Sequence, residues 1–136
     1  MKTIRRYNPR KQGEIGLGAA IAWFSSNGYG VSIPLADNQP YDLVVEDEEG
    51  LKRVQVKTTT HRKPRGNFGV ALRTNGGNKS RHTHKLFDVR TCELLFVLTD
   101  DGRRYLFPTA ELKPRTELTL GPRYDCYVVG EGFEPS

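Results

Sequence analysis

The sequence has only two cysteines, Cys92 and Cys126, and no long run of apolar residues. Two cysteines cannot supply a disulfide framework or a zinc site of the C-x-x-C type, so both classes are excluded. The longest apolar stretch, residues 15–24, is shorter than the roughly 20 residues that cross a bilayer. The basic residues near the start are not followed by an apolar signal-peptide core. We therefore expect a cytoplasmic protein without a membrane segment.

The composition is that of a folded chain. Of 136 residues, 36% are hydrophobic and 27% are charged, which is ordinary for a folded domain with a polar lean. This length is enough for one hydrophobic core. We expect a single domain over residues 1–136.

Positive charge is concentrated in two segments. The formal net charge is +5, but residues 1–13 hold five basic residues and no acidic one, and residues 61–90 hold eight basic residues against Asp88. The rest of the chain is acidic. Concentrated positive charge favours a polyanionic partner, nucleic acid above all, although a solvated basic loop has the same composition. Eight basic residues are predicted to bind DNA: Arg5, Arg6, Arg62, Lys63, Arg65, Arg73, Lys79 and Arg81.

The order of predicted elements indicates an α+β fold. Asn8-Pro9 is typical of a helix start and Asn27-Gly28 of a helix end, with an apolar stripe between them. Strands are predicted over residues 29–34, 41–45, 51–59, 67–73, 94–99, 104–108 and 124–129, and a short helix over 85–91. One helix followed mostly by strands implies a mixed or antiparallel sheet.

The predicted hairpin over residues 41–59 carries the most informative polar residues. If its acidic turn centres between Glu48 and Glu49, Asp42 lies opposite Gln55 and on the same face as Lys57. A slip of one residue would separate them. In this register a carboxylate, a carboxamide and an ammonium group converge on a rigid pair of strands.

This cluster suits Mg²⁺ chemistry on a phosphate ester. Magnesium prefers oxygen ligands and is often held by one or two carboxylates plus substrate phosphates. Asp42 and Gln55 supply such oxygens, and the backbone carbonyl of Val56 can add another. A neighbouring lysine can position a water molecule or neutralise phosphate charge. Mn²⁺ has similar ligand preferences and is expected to substitute. A surface hairpin with ordinary polar residues is the alternative interpretation.

Two stretches resemble the PD-(D/E)-x-K nuclease superfamily. Pro40-Tyr41-Asp42 followed by Gln55-Val56-Lys57 resembles its catalytic motif, and residues 12–16 resemble its N-terminal helix. The Gln-x-Lys form is most similar to the homing endonucleases of group I introns. The sequence departs from the pattern in two places: Tyr41 separates the proline from the aspartate, and Gln55 replaces an acidic residue, which should weaken metal affinity.

The resemblance implies a restriction-endonuclease-like core, a central mixed sheet flanked by helices. It also implies that Glu14, Asp42, Gln55 and Lys57 form the active site, with Glu14 as a further metal ligand. The expected activity is metal-dependent, site-specific cleavage of double-stranded DNA by a homo-oligomer, either a dimer or a tetramer. A structure-selective nuclease, such as a junction resolvase or repair nicking enzyme, and a non-catalytic nucleic-acid-binding module remain alternatives.

The remaining metal signal is weak. His82 and His84, together with Cys92, offer zinc-binding atoms but no fourth ligand at a suitable spacing. A solvated loop is the better interpretation of these histidines. Zinc is not expected.

Overall fold

In a computed structural model, the chain folds around a six-stranded mixed sheet. The structure describes residues 3–72, 74–75, 84–114 and 116–132. The elements are helix α1 (Pro9–Ser26), strands β1 (Gly30–Ser32), β2 (Leu43–Asp47), β3 (Gly50–Thr59), β4 (Phe68–Ala71), β5 (Thr74–Asn75), β6 (His84–Lys85), β7 (Leu94–Thr99), β8 (Arg104–Pro108), β9 (Glu117–Leu120) and β10 (Val128–Gly130), and the 3₁₀ turns η1 (Thr109–Glu111) and η2 (Pro122–Tyr127).

The strand order of the main sheet is β1-β2-β3-β7-β8-β10. All neighbours are antiparallel except β3 and β7, which are parallel. A parallel pair needs a long crossover, and residues 60–93 provide it. Strands β4 and β9 form a separate two-stranded sheet, and β5 pairs with β6. The predicted α+β class with a central mixed sheet is confirmed.

Helix α1 covers one face of the main sheet. Asn8 caps the helix by accepting a hydrogen bond from the Lys11 backbone N–H at 2.9 Å, as the sequence predicts. Phe24 packs with Leu43, Val54 and other apolar side chains of this face. Gly16 lies so close to β3 that a Cβ there would overlap the Cγ2 of Thr58. A glycine at this position lets α1 lie directly on the strand that carries the candidate site.

The opposite face packs against the β4–β9 sheet and the 3₁₀ turns. Its core includes Leu95, Val97, Phe107 and Leu118. Strand β7 is buried along its whole length because both faces of the sheet are covered there. The 3₁₀ turns and α1 thus flank the sheet on its two sides.

Two local predictions are wrong. Residues 85–91 do not form a helix: β6 ends at Lys85 and a turn follows, in which the Asp88 carbonyl accepts from the Thr91 N–H at 3.1 Å. Local hydrogen bonds of an aspartate compete with a helix this short. Residues 124–127 belong to η2 instead of a strand. In a 3₁₀ turn, positions three apart share one side, so Tyr124 and Tyr127 both reach Phe107.

Candidate active site and nucleic-acid interface

The hairpin of β2 and β3 has the register that the sequence predicts. Leu43 pairs with Val54 and Val44 with Arg53, so the pairs continue to Asp42 and Gln55. The backbone N–H of Asp42 donates to the Val54 carbonyl at 2.8 Å, which extends the ladder past the start of β2. Leu43, Val45 and Val54 are buried under α1, and this burial holds the register, since a slip would expose them.

Asp42 is the centre of the polar cluster. Its Oδ2 accepts two hydrogen bonds, from Gln55 Nε2 at 2.9 Å and from the Val56 backbone N–H at 2.8 Å. Its Oδ1 accepts no hydrogen bond from another described residue. The two donors orient the carboxylate and leave Oδ1 as the oxygen open to a ligand.

Lys57 completes the cluster from the same face of β3. The pKa of its ammonium group is lowered, because burial disfavours the charged form, and the negative charge of Asp42 opposes this shift only in part. Lys57 makes no hydrogen bond or ion pair with another described residue. An amine that is partly desolvated and otherwise unengaged is suited to contact a phosphate or a water molecule.

Cys92 lies behind the cluster. Its buried thiol interacts with the Gln55 backbone, and burial raises the pKa of this thiol. A neutral thiol fills space without adding charge beside Lys57. No sequence signal indicates this proximity, since Cys92 is 37 positions from Gln55 in the chain.

Arg53 and Glu93 join β3 to the start of β7. The Glu93 carboxylate accepts from the Arg53 backbone N–H at 2.8 Å and from its Nε at 3.1 Å, with a further bond from Nη2. The Arg53 guanidinium lowers the pKa of Glu93. This pair aligns the two parallel strands just before Gln55.

Among the described residues, Glu14 is not tied to the cluster by a hydrogen bond. It is exposed on α1 and pairs with Lys11 at 3.6 Å. Within the described residues it has no hydrogen bond or ion pair to Asp42, Gln55 or Lys57. The same part of the chain holds no group of three or more His, Cys, Asp or Glu side chains arranged for a metal. The role of Glu14 as a metal ligand stays a prediction.

Residues 61–69, here called the basic hairpin, continue the chain beyond β3. The Gly69 N–H donates to the His61 carbonyl at 2.9 Å, and the Lys63 N–H donates to the Asn67 carbonyl at 2.8 Å. The tip closes with a bond from the Gly66 N–H to the Lys63 carbonyl, and Gly66 adopts a φ of +95° that favours glycine. The predicted basic loop is therefore a hydrogen-bonded hairpin.

The three cations of the basic hairpin have different surroundings. Arg62 stacks on the Phe68 ring at 4.1 Å, pairs with Asp101 at 3.8 Å and donates to the Gly66 carbonyl. Lys63 pairs with Glu117 at 2.6 Å. Arg65 is exposed at the tip and has no side-chain hydrogen bond or ion pair with another described residue. Arg65 is thus the cation of this hairpin that is open to an external anion.

The predicted DNA-binding residues near the start of the chain are also partly engaged. Asp100 accepts from the backbone N–H groups of Ile4 and Arg5, both at 2.9 Å, and its other oxygen lies 3.4 Å from Arg5 Nε. Arg6 donates to the Tyr7 hydroxyl at 2.8 Å. Buried Asp100 therefore anchors the segment before α1, a function that no sequence signal indicated. Arg73, Lys79 and Arg81 lie outside the described residues.

Comparison with known proteins identifies the class. A family model described as PD-(D/E)XK endonuclease matches residues 7–122, most of the chain, and the chain belongs to this family. The resemblance predicted from the motif is confirmed, and the fold and family together define a nuclease.

Among solved structures, that of the bacterial homing endonuclease I-Ssp6803I is similar to this chain. The two are 27% identical, with a TM-score of 0.76 over 90% of this chain and 89% of the other. No curated protein matches the chain significantly. No helix in the described part of the chain is long and apolar enough to cross a membrane.

Proposed function

We propose that this nuclease is a Mg²⁺-dependent, site-specific DNA endonuclease of the homing type. The observation that carries the proposal is the grouping of Asp42, Gln55 and Lys57 on one face of β2 and β3, where the Asp42 carboxylate is held by two N–H donors. The similarity to a homing endonuclease supports the finer assignment.

The oxygen atoms of the cluster fit a cation that is held jointly by the protein and the substrate. Asp42 Oδ1 is the open carboxylate oxygen. The side-chain amide oxygen of Gln55 and the backbone carbonyl oxygen of Val56 are candidate neutral ligands. Magnesium commonly binds one or two carboxylates together with substrate phosphates and keeps several waters. Glu14 is the proposed further ligand, directly or through water. Mn²⁺ is proposed to substitute for Mg²⁺ at the same oxygens.

Each residue then has a distinct part in hydrolysis. When bound, the cation supplies positive charge beside the scissile phosphate and lowers the pKa of water. Asp42 would hold the cation, and through it the reacting phosphate, in a fixed position relative to the strands. Lys57 orients the attacking water and neutralises charge that develops on the phosphate, and its partial burial strengthens both effects.

Exposed cations are proposed to hold the duplex. Arg65 presents its guanidinium from the tip of the basic hairpin, and Arg5 and Arg6 extend from the segment before α1. Arg62 and Lys63 tie the hairpin to the rest of the fold through their ion pairs with Asp101 and Glu117 and contact DNA less directly. Arg73, Lys79 and Arg81 remain predicted contacts.

A homo-oligomer, dimer or tetramer, is proposed for cleavage of both strands. One chain carries one candidate site, and two sites related by a two-fold axis match the two antiparallel strands of a duplex. The neutral Gln55 is the observation that favours the alternative of a non-catalytic DNA-binding module, because it removes one negative charge from the site.

A cleavage screen tests the proposal. The protein is incubated with a plasmid library carrying randomised inserts and, in parallel, with branched DNA, each with Mg²⁺ or EDTA, and cut ends are mapped by sequencing. We expect Mg²⁺-dependent cuts at one defined site. Cuts only at branched DNA would indicate a structure-selective nuclease, and salt-dependent binding without cuts would indicate the binding module.

Asp42→Ala provides the residue-level test. We expect cleavage to fall by at least about 100-fold with binding to DNA retained, because the carboxylate acts in turnover more than in affinity. Asp37→Ala is the matched control, since Asp37 is an exposed carboxylate in the loop before β2. Wild-type cleavage by Asp42→Ala would show that the site lies elsewhere.

A further inference from the structure

The side-chain amide of Gln55 faces Asp42 with its nitrogen and not with its oxygen. Nε2 donates to Asp42 Oδ2 at 2.9 Å, and the Val56 N–H donates to the same oxygen. The opposite orientation would place the amide oxygen against a carboxylate oxygen with no hydrogen between them. Without a cation, the chemistry of the pair therefore permits only the N–H donor orientation.

We infer that Gln55 is a positioning residue that holds the Asp42 carboxylate in place before any cation arrives. With no cation, its amide donates to Asp42. If a cation bound at Asp42, a half-turn of the amide would exchange its nitrogen and oxygen, and Oε1 would then be available as a neutral ligand. One side chain then serves the empty and the loaded site in turn.

The charge balance explains why a neutral residue suits this arrangement. Asp42 and Lys57 carry opposite charges on one face of the β2–β3 hairpin, so the metal-free cluster is neutral. A glutamate at position 55 would place a second carboxylate about 3 Å from the first. One lysine cannot balance two carboxylates, so that cluster would be less stable than the wild-type cluster when no cation is bound. With Gln55, the site can therefore form before a cation binds, although its metal affinity is weaker.

The inference rests on the proposed function only in its assumption that a cation binds at Asp42. The hydrogen bond between Gln55 and Asp42 belongs to the metal-free protein and can be measured without DNA or cleavage. A protein that bound no metal could still hold this bond, so the two ideas fail in different experiments.

The first experiment follows the side-chain amide of Gln55 by ¹⁵N NMR in EDTA. We expect its NH₂ protons to exchange with water more slowly than those of Gln39, which lies in an exposed loop. Asp42→Ala should remove the protection. Lys57→Ala, which alters the cluster without removing the acceptor, should leave it. Equal exchange for Gln55 and Gln39, or protection that survives in Asp42→Ala, would overturn the inference.

The second experiment compares Gln55→Glu with Gln39→Glu, a matched change of charge in the exposed loop. In EDTA we expect Gln55→Glu to melt about 5 °C below the wild type, and Gln39→Glu to melt close to it. Ca²⁺, used as a non-cleaving probe, should restore most of the loss in Gln55→Glu and shift the wild type little. An unchanged melting temperature of Gln55→Glu in EDTA would overturn the charge argument. If Gln55→Glu does not fold, the NMR exchange decides.

The calcium arm separates the two ideas. Loss of stability in EDTA without recovery in Ca²⁺ would contradict the metal site of the proposed function while supporting the hydrogen bond. Stabilisation of the wild type by Ca²⁺ as strong as that of Gln55→Glu would overturn the inference. It would mean that Gln55 does not stabilise the metal-free site.

Discussion

The candidate catalytic cluster and the basic hairpin are consecutive parts of one chain, yet they hold their charges in opposite ways. Asp42 and Lys57 are half-buried on paired strands, and Asp42 is held by two N–H donors. Arg65 projects from a turn that is itself closed by hydrogen bonds, but its guanidinium is free among the described residues. The proposed reacting groups are thus positioned by partial burial on paired strands, whereas the proposed DNA-contacting group is fixed only at its backbone.

Replacing Lys57 by methionine should have the largest effect, and this effect should be on the rate of cleavage. Methionine keeps most of the unbranched side chain and removes the ammonium group, so we expect cleavage to fall by about 100-fold or more. The melting temperature should not fall, because burial of the charged form is a cost that methionine avoids.

Two readouts check the Lys57 prediction. Single-turnover cleavage gives the loss of rate, and equilibrium binding to the same duplex should be within a few-fold of wild type. Strong loss of binding with unchanged cleavage of bound DNA would reverse the roles assigned to the cluster and the basic hairpin.

Replacing Arg65 by alanine should have an intermediate effect, on binding alone. If Arg65 meets a phosphate, affinity should fall on all duplexes and the dependence of log affinity on log salt should flatten by about one unit. If it reads a base, the loss of about 1–3 kcal/mol should appear on the target only. Cleavage of saturated complexes should be unchanged.

Arg62→Ala and Lys52→Ala sharpen the Arg65 test. Arg62→Ala should lower the melting temperature, since it removes the stack on Phe68 and the pair with Asp101. Lys52 pairs with Asp47 beside the β2–β3 turn, at the opposite end of β3, and serves as the charge-matched control. An Arg65→Ala protein with the wild-type affinity and salt slope would show that the tip does not contact DNA.

Replacing Glu93 by glutamine should have the smallest effect. It should lower the free energy of unfolding by an amount that depends on pH. Arg53 lowers the pKa of Glu93 below its usual 4.5 in the folded chain. The unfolded chain therefore binds the proton more tightly, and the pair stabilises the fold above about pH 4.5, a contribution that is lost as the pH falls through the folded pKa.

Both groups of this pair are partly exposed, so the effect should stay within about 1 kcal/mol. Urea unfolding of wild type and Glu93→Gln at pH 7 and pH 3 measures it. The difference between the two proteins should be larger at pH 7. An equal difference at both values would mean that the charge of Glu93 does not support the junction of β3 and β7.

Much of the fold and the cluster could be predicted because their signals are local. The helix start at Asn8-Pro9 depends on adjacent residues, and the register of β2 and β3 follows from the position of one turn. That register brings Asp42 and Gln55 together without reference to the rest of the chain. Strand β9 was not predicted, because its four residues gain their stability from pairing with β4, about 50 residues away.

The sequence by itself determined the helix, the hairpin, the identity of the polar cluster and the two basic segments, since periodicity, turn residues and charge act over short distances. Only the tertiary structure decided which cations are open and which are tied to acids far along the chain, as Arg62 is to Asp101 and Arg5 to Asp100. It also decided that the Val56 backbone N–H donates to the same Asp42 oxygen as the Gln55 amide. The physical reason is that ion pairs and hydrogen bonds depend on distances of about 3 Å, and the folded sheet alone sets those distances between remote residues.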